Sequence, residues 1–299
     1  MKNACEGKLV PTEAELARAE GRDYEPADVL LERILEERRE KWNGKGKYKE
    51  PEAPDTTGFS ELPEGWVWTN ADRLTTVITD GEHITPERSE SGILLLSARN
   101  IRNGKLSLEK VDYVPQHVYD KISNRLKIEP GDVLLSCSGS VGRSCVSPNG
   151  LIFTLVRSVA VLKPVIENGN YISYCLRSSI LQKQINEKKT QTAQSNIFQG
   201  KIRKLLFPLP PLAEQRRIVV EVERRLSICD KMEETIAESL QKAESLRQSI
   251  LKKAFEGKLL NEKELEEVRN APDWEPAEKL LERIKAEKTN IITKKKDVK

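Results

Sequence analysis

Residues Leu212 to Phe255 contain neither proline nor glycine, and they place Val222, Leu226, Cys229, Met232, Ile236, Leu240, Ala243, Leu246 and Ile250 at spacings of three and four. That pattern is a helix with one apolar stripe. About 44 residues at ~1.5 Å each give a length on the order of 65 Å, far more than one small domain covers. A stripe this long needs a mate. Either the chain folds back on it with residues 26 to 40 and 276 to 286, or another copy supplies a helix.

A second constraint is an internal repeat at an offset of 250. Ala4-Cys5-Glu6-Gly7-Lys8-Leu9 matches Ala254-Phe255-Glu256-Gly257-Lys258-Leu259; Asp23-Tyr24-Glu25-Pro26-Ala27 matches Asp273-Trp274-Glu275-Pro276-Ala277; Leu30-Leu31-Glu32-Arg33-Ile34 matches Leu280-Leu281-Glu282-Arg283-Ile284. Two copies so far apart imply a repeating unit of one globular domain plus one long helix, with a second copy of its boundary segment. In each copy Glu-Pro-Ala ahead of an apolar 3-4 pattern predicts a helix start, the helices running to about Glu40 and Lys288. Trp42 to Phe59 reads as a solvated linker, and Lys294-Lys295-Lys296 as a disordered tail.

Between linker and helix lies a domain that opens near Leu62-Pro63-Glu64-Gly65-Trp66 and closes at Phe207-Pro208-Leu209-Pro210-Pro211. Ile93 to Ser97, Val133 to Ser136 and Leu155 to Leu162 are short β-branched-rich runs bounded by turn residues, hence strands. Val118 to Leu126 and Tyr171 to Glu187 have helical spacing. The expected fold class is α+β: one globular domain over 61–211, then a long coiled-coil-forming helix over 212–256, with short helical segments over 1–60 and 257–299.

The net charge of +3 is informative once located. Residues 62 to 211 hold 19 Lys and Arg against 13 Asp and Glu, so the positive charge sits in the globular domain, as a polyphosphate partner would require. No apolar run approaches a membrane span and the first residues are not a signal core, so a cytoplasmic location is expected. Cys5, Cys137, Cys145, Cys175 and Cys229 are scattered and never form a CxxC pair, which argues against disulfides and structural zinc. Phosphate-binding glycine motifs are absent. The two histidines, His83 and His117, leave little for a His-based metal site or relay, and no metal site is expected. Asp132 with Glu187 and Lys189 is the one set from which a Mg²⁺-dependent nuclease could be drawn, at unspecific spacing.

The loops carry more. Asp80-Gly81-Glu82-His83-Ile84-Thr85-Pro86, Ser97-Ala98-Arg99-Asn100-Ile101, Ser136-Cys137-Ser138-Gly139-Ser140 leading to Arg143, and Thr190 to Asn196 with Gln194 are dense in side chains that pair with base edges and phosphates. Asp80, His83, Thr85, Arg99, Asn100, Ser138, Gly139, Ser140, Arg143, Gln194 and Asn196 are the candidate DNA face. Against this, Asp80 and Glu82 are acids of the kind that order turns, and Arg157 is a candidate to pair with a buried acid.

Taken in order, Leu62 to Trp66, DGEHITP at 80 to 86, LLSARNIRNGK at 95 to 105, KIEPGDVLLSCSGSVGR at 127 to 143, RSVAVLKP at 157 to 164, TAQSNI at 192 to 197, PLPPLAEQRRIV at 208 to 219 and LRQSILKKAFEGKL at 246 to 259 closely resemble the specificity subunit of type I restriction-modification systems. The resemblance covers residues 1 to about 290. It implies a non-catalytic subunit in which a target recognition domain reads half of a split DNA sequence, while a long conserved helix spaces the halves and docks methyltransferase subunits. It implies further that S-adenosylmethionine, ATP and Mg²⁺ act on partner subunits, the restriction subunit joining through the methyltransferase. Full-length relatives carry two recognition domains and two antiparallel helices. This sequence holds one of each, with residues 1 to 60 resembling the end of a central conserved region.

Three expectations follow. The chain is a half-length subunit whose copies pair through helix 212–256 and read an inverted repeat; or it complements a separate half; or, from a different class, it is a nuclease using Asp132, Glu187 and Lys189. NPPF-like and DPPY-like methyltransferase motifs and an ATPase loop are absent from it.

Overall fold

The structure is a computed structural model that describes residues 1–42, 46–190 and 195–296, with side chains described as far as Lys288. The chain forms two units, Met1–Ser227 and Ile228–Lys299.

The first unit begins with α1 (Lys2–Cys5), α2 (Glu13–Glu20) and α3 (Ala27–Glu40). There follow β1 (Val67–Asn70), α4 (Ala71–Leu74), β2 (Thr75–Asp80), β3 (Ile93–Leu96), the short β4 (Ile101–Arg102) and β5 (Lys105–Leu106), β6 (Asp112–Val114) and α5 (Gln116–Ser123). Then come β7 (Val133–Ser136), β8 (Ser144–Val146), β9 (Phe153–Leu155), β10 (Val159–Pro164), α6 (Gly169–Leu176), α7 (Ser179–Lys188), α8 (Gln199–Arg203) and β11 (Leu206–Leu209). The helix α9 (Leu212–Phe255) starts in this unit.

Strands β1 and β11 pair antiparallel, Val67 opposite Leu209, and so tie the opening of the domain to its close. A four-stranded antiparallel sheet runs β2-β10-β7-β8, and a three-stranded sheet runs β6-β3-β9. The four-stranded sheet is covered on both faces. Val133, Leu135, Ala160 and Leu162 join one core with α1, α3, α6 and α7, while the alternate residues Leu134, Val159 and Val161 join a second with Leu96, Phe153, Leu155 and Leu126. Burial on both faces is why these strands read in the sequence as continuous apolar runs rather than alternating ones.

Two sequence-predicted elements are divided. Leu155 to Leu162 is not one strand. It turns at Val156–Ser158, and the chain passes from the three-stranded sheet, where Leu155 pairs with Leu96, to the four-stranded sheet, where Val159 pairs with Ser136. Tyr171 to Glu187 breaks before Ser178, whose hydroxyl accepts the Leu181 N–H and caps α7.

Residues 1–40 share the core of the first unit rather than standing apart. Ala4, Cys5, Ala27, Leu30, Leu31 and Ile34 are buried beside Trp66, Leu74 and Tyr171, and a fully buried Leu or Ile stabilises by about 1.5–3 kcal/mol. The first turns of α9 complete this joint. Glu214 accepts hydrogen bonds from the Glu13 amide (2.9 Å) and from Trp66 Nε1 (3.1 Å), and Glu13 is clasped by Arg22 at 2.7 Å and Arg217 at 2.5 Å. Ordered contacts also hold the predicted linker: the Asn70 amide donates to the Glu52 carbonyl, and Phe59 packs edge-on against Trp68.

The second unit comprises α9 from Ile228 onward, α10 (Glu262–Arg269) and α11 (Ala277–Lys296). Here Cys229, Met232, Ile236, Leu240, Ala243, Leu246 and Ile250 are exposed, Leu240 to 71%. Val222, which the sequence assigns to the partner stripe, is instead 5% exposed in the core of the first unit, with Leu226 half-buried against that core.

Candidate nucleic-acid interface

The C-terminal ends of β2 and β7 and the N-terminal end of β10 lie at one edge of the four-stranded sheet, since Asp80 pairs with Ala160 and Ser136 with Val159. The C-terminal ends of β3 and β9 lie side by side in the other sheet, Leu96 opposite Leu155. The three-residue turn Val156–Ser158 joins these edges, and three of the predicted loops gather on it.

Main-chain bonds do the gathering. From the β2 loop, Gly81 N–H donates to Val159 O (3.0 Å) and Glu82 N–H to Leu155 O, while Arg157 N–H returns a bond to Glu82 O at 2.9 Å. From the β7 loop, Cys137 N–H donates to Ser158 O at 2.9 Å. From the β3 loop, Ala98 N–H donates to the Ser158 hydroxyl at 3.0 Å. The segment after α7 attaches to the β7 loop: Ile197 N–H donates to Cys137 O, Gly139 N–H to Ser195 O, and Ser138 pairs with Asn196. Glycine is required at Gly81 because a Cβ there would overlap the Leu155 and Val156 carbonyls, and at Gly139 because its φ is +73°.

The individual side chains divide into those that hold the edge and those that project from it. Asn100 is 2% exposed; its Oδ1 accepts from the Ser97 amide and hydroxyl, and its Nδ2 donates to Ser107 O and Lys110 O. It is therefore withdrawn from the candidate DNA face, because every polar atom of its amide is committed to the turn. Glu82 likewise orders its loop, accepting from the His83 and Ile84 amides. Arg99 is exposed and bonded to Asp112 at 2.7 Å. Asp80 Oδ2 lies 3.8 Å from His83 Nε2, and His83 and Thr85 are exposed. Ser138, Gly139, Ser140, Arg143 and Asn196 share the β7 loop cluster, and the Arg143 guanidinium has no hydrogen-bond or ion-pair partner among the described residues. Gln194 lies outside the described residues.

Three residues escaped the sequence reading. Arg157, expected to pair with a buried acid, is exposed in the central turn and has no such partner among the described residues. Arg125 reaches the β2 loop, donating to Gly81 O at 2.9 Å with Glu82 Oε2 at 3.6 Å, so it offsets the negative charge of that loop. Phe198, immediately after the Asn196–Ile197 junction, is 63% exposed. The sequence signal for Arg157 was its place between two apolar runs; no local signal marks the other two.

The nuclease set is not assembled. The Asp132 carboxylate, at the start of β7, receives Lys163 Nζ at 2.7 Å and the Glu129 amide at 2.8 Å, and no hydrogen bond or ion pair joins it to Glu187 or Lys189. Burial raises its pKa, and Lys163 opposes only part of that. Among the described residues no group of three or more His, Cys, Asp and Glu is placed to hold a metal ion. None of their helices is long and apolar enough to cross a membrane.

Residues 96–242 match the family model described as type I restriction modification DNA specificity domain. The chain is 26% identical over 237 residues to the type I restriction enzyme EcoBI specificity subunit of Escherichia coli, covering 76% of this chain and 49% of that one. It is 40% identical over 103 residues to the StySPI specificity subunit of Salmonella potsdam, covering 34% and 22% respectively. A chain from a solved structure, described as the structural basis underlying complex assembly and conformational transition of the type I R-M system, shares the fold with a TM-score of 0.52 at 20% identity, over 85% of this chain and 58% of that one. The chain spans about half the length of the curated relatives it matches over most of its own.

Proposed function

We propose, for a chain whose residues 96–242 match the family model described as type I restriction modification DNA specificity domain, that it reads one half-site of a split DNA sequence and docks methyltransferase subunits without itself catalysing a reaction. The observation that carries this is the convergence of three loops on the Val156–Ser158 turn, with Arg157 and Arg143, whose guanidinium groups have no partner among the described residues, and the exposed His83 and Thr85 on those loops. Arginine forks suit guanine edges and phosphates, and the loop main chain fixes where they point.

Two copies supply two half-sites. The exposed stripe from Cys229 to Ile250 supports pairing through α9, because an apolar seam of that length is stabilised only when covered. A two-fold pair would read an inverted repeat with a fixed spacer, as symmetric DNA-binding dimers do. Methyl transfer and cleavage, with S-adenosylmethionine, ATP and Mg²⁺, belong to partner subunits in a cytoplasmic complex, the restriction subunit joining through the methyltransferase.

The test is selection from random duplexes by the chain with and without its methyltransferase subunit, together with light scattering. Enrichment of an inverted repeat by a dimer is the expected result. A monomer at micromolar concentration in the presence of DNA, or no sequence enrichment, would overturn it; co-purification with a distinct second half would replace the symmetric dimer with a complemented one.

A further inference from the structure

The repeated segment is the same local structure built twice. In each copy a glycine of φ +66° follows a helical turn, at Gly7 and Gly257. The next lysine returns its amide N–H five residues back, Lys8 to Asn3 O at 2.9 Å and Lys258 to Lys253 O at 2.7 Å, and its ammonium sits 3.0 Å from Glu6 or Glu256. A capping box then opens a short helix, Thr12 with Glu15 in α2 and Asn261 with Glu264 in α10. After Glu-Pro-Ala, an ion pair braces the next helix: Glu25 with Arg33 at 2.8 Å, and Glu275 with Arg283 at 2.7 Å.

Burial separates the copies. Ala27, Leu30, Leu31 and Ile34 are buried on the recognition domain, and the Ala27 amide donates to Gly65 O at 2.8 Å. Their counterparts Ala277, Leu280, Leu281 and Ile284 are exposed. The chain thus displays, bare, the same four apolar side chains at the same helical spacing that it elsewhere shows seated.

We propose that α11 of a second copy of this chain docks in the groove that α3 fills on the recognition domain, so that the two segments exclude one another and residues 1–40 act as a resident plug. The proposal rests on the pairing of two copies proposed above. The resident has an additional foothold. With the caps Thr12 and Asn261 aligned, the buried Ala14 and Ala17 of α2 correspond to Lys263 and Glu266 in α10, and Cys5, buried against Cys175, corresponds to the larger Phe255. Only the α3 footprint is shared, and the resident is held in the same chain, so exchange requires concentrated second copies.

The full chain tests this by hydrogen-exchange mass spectrometry across a concentration series, with sedimentation velocity on the same samples. As dimer accumulates, peptides within residues 277–288 should gain at least about tenfold protection, and those within 27–40 should lose it in step. The doubly substituted Leu280→Asp, Leu281→Asp chain changes two side chains already exposed. It should abolish both changes and weaken the dimer about 100-fold or more, two buried leucines being lost. A dimer whose residues 277–288 stay unprotected, or gain protection while 27–40 keep theirs, would refute the exchange and leave pairing intact. Absence of any dimer, with DNA present, would remove both.

Discussion

Replacing Arg157 and Asn100 separately by alanine distinguishes reading from scaffolding at one edge of the fold. The Arg157 side chain makes no hydrogen bond or ion pair among the described residues, so Arg157→Ala should leave the unfolding free energy within about 0.5 kcal/mol of wild type. On the selected duplex it should weaken binding by about 1–3 kcal/mol, roughly 5- to 150-fold, if the guanidinium meets a base edge, with altered preference at that position. If it meets a phosphate instead, binding to all sequences should fall alike and the salt slope should drop by about 0.9. Asn100→Ala should do the opposite. It strands the Ser97 amide and the Ser107 and Lys110 carbonyls in a site that is 2% exposed, at a cost of about 2–4 kcal/mol of stability. Fluorescence anisotropy across a salt series, with urea denaturation followed by circular dichroism, reads both quantities. Wild-type affinity, preference and salt slope for Arg157→Ala would refute its place on the DNA face. An Asn100→Ala chain of wild-type stability that loses only sequence preference would refute the division itself.

Gly81→Ala should destabilise the first unit by more than about 2 kcal/mol and release the β2 loop, which loss of amide protection at Gly81 and Glu82 would register. Ile236→Asp with Leu240→Asp should weaken self-association without shifting the denaturation of the first unit; unchanged sedimentation would exclude the stripe as the pairing surface. The joint between Glu13 and Glu214 gives opposite pH dependences. Burial alone would raise the Glu13 pKa, but Arg217 and Arg22 outweigh it and hold the carboxyl below the usual range, so its stabilisation is present above that range and is lost as pH falls through the lowered value. Burial raises the Glu214 pKa against its hydrogen bonds from Glu13 and Trp66, so its contribution is present at low pH and is lost as pH rises through the raised value. Glu214→Gln should therefore gain stability relative to wild type as pH rises from the ordinary carboxylate range through the raised value, and a difference in urea midpoints that stays constant with pH would contradict the assignment.

The long helix was legible because a run without proline or glycine leaves few alternatives, and the strands because β-branched runs between turn residues are local signals. What escaped depends on partners distant in sequence. Val222 looks like its stripe mates until the domain core is in place, and Asn100 looks like a reader until Lys110 O is found within reach. The strand break at Val156 reflects a change of sheet, for which no residue between Leu155 and Leu162 is diagnostic. Arg157 shows the reverse case: within what reads as one strand it was a candidate to pair with a buried acid, yet the turn carries it outward.

Nearly all the bonds that fasten the loops to the Val156–Ser158 turn come from backbone atoms, the Ser158 hydroxyl being the side-chain exception. Gly81 apart, where a Cβ would overlap the Leu155 and Val156 carbonyls, a backbone clasp does not depend on which side chain its residue bears. The positions that project from the edge are therefore open to replacement while their anchor points stay put, and point changes there can alter the surface that the edge presents without rebuilding the domain beneath it.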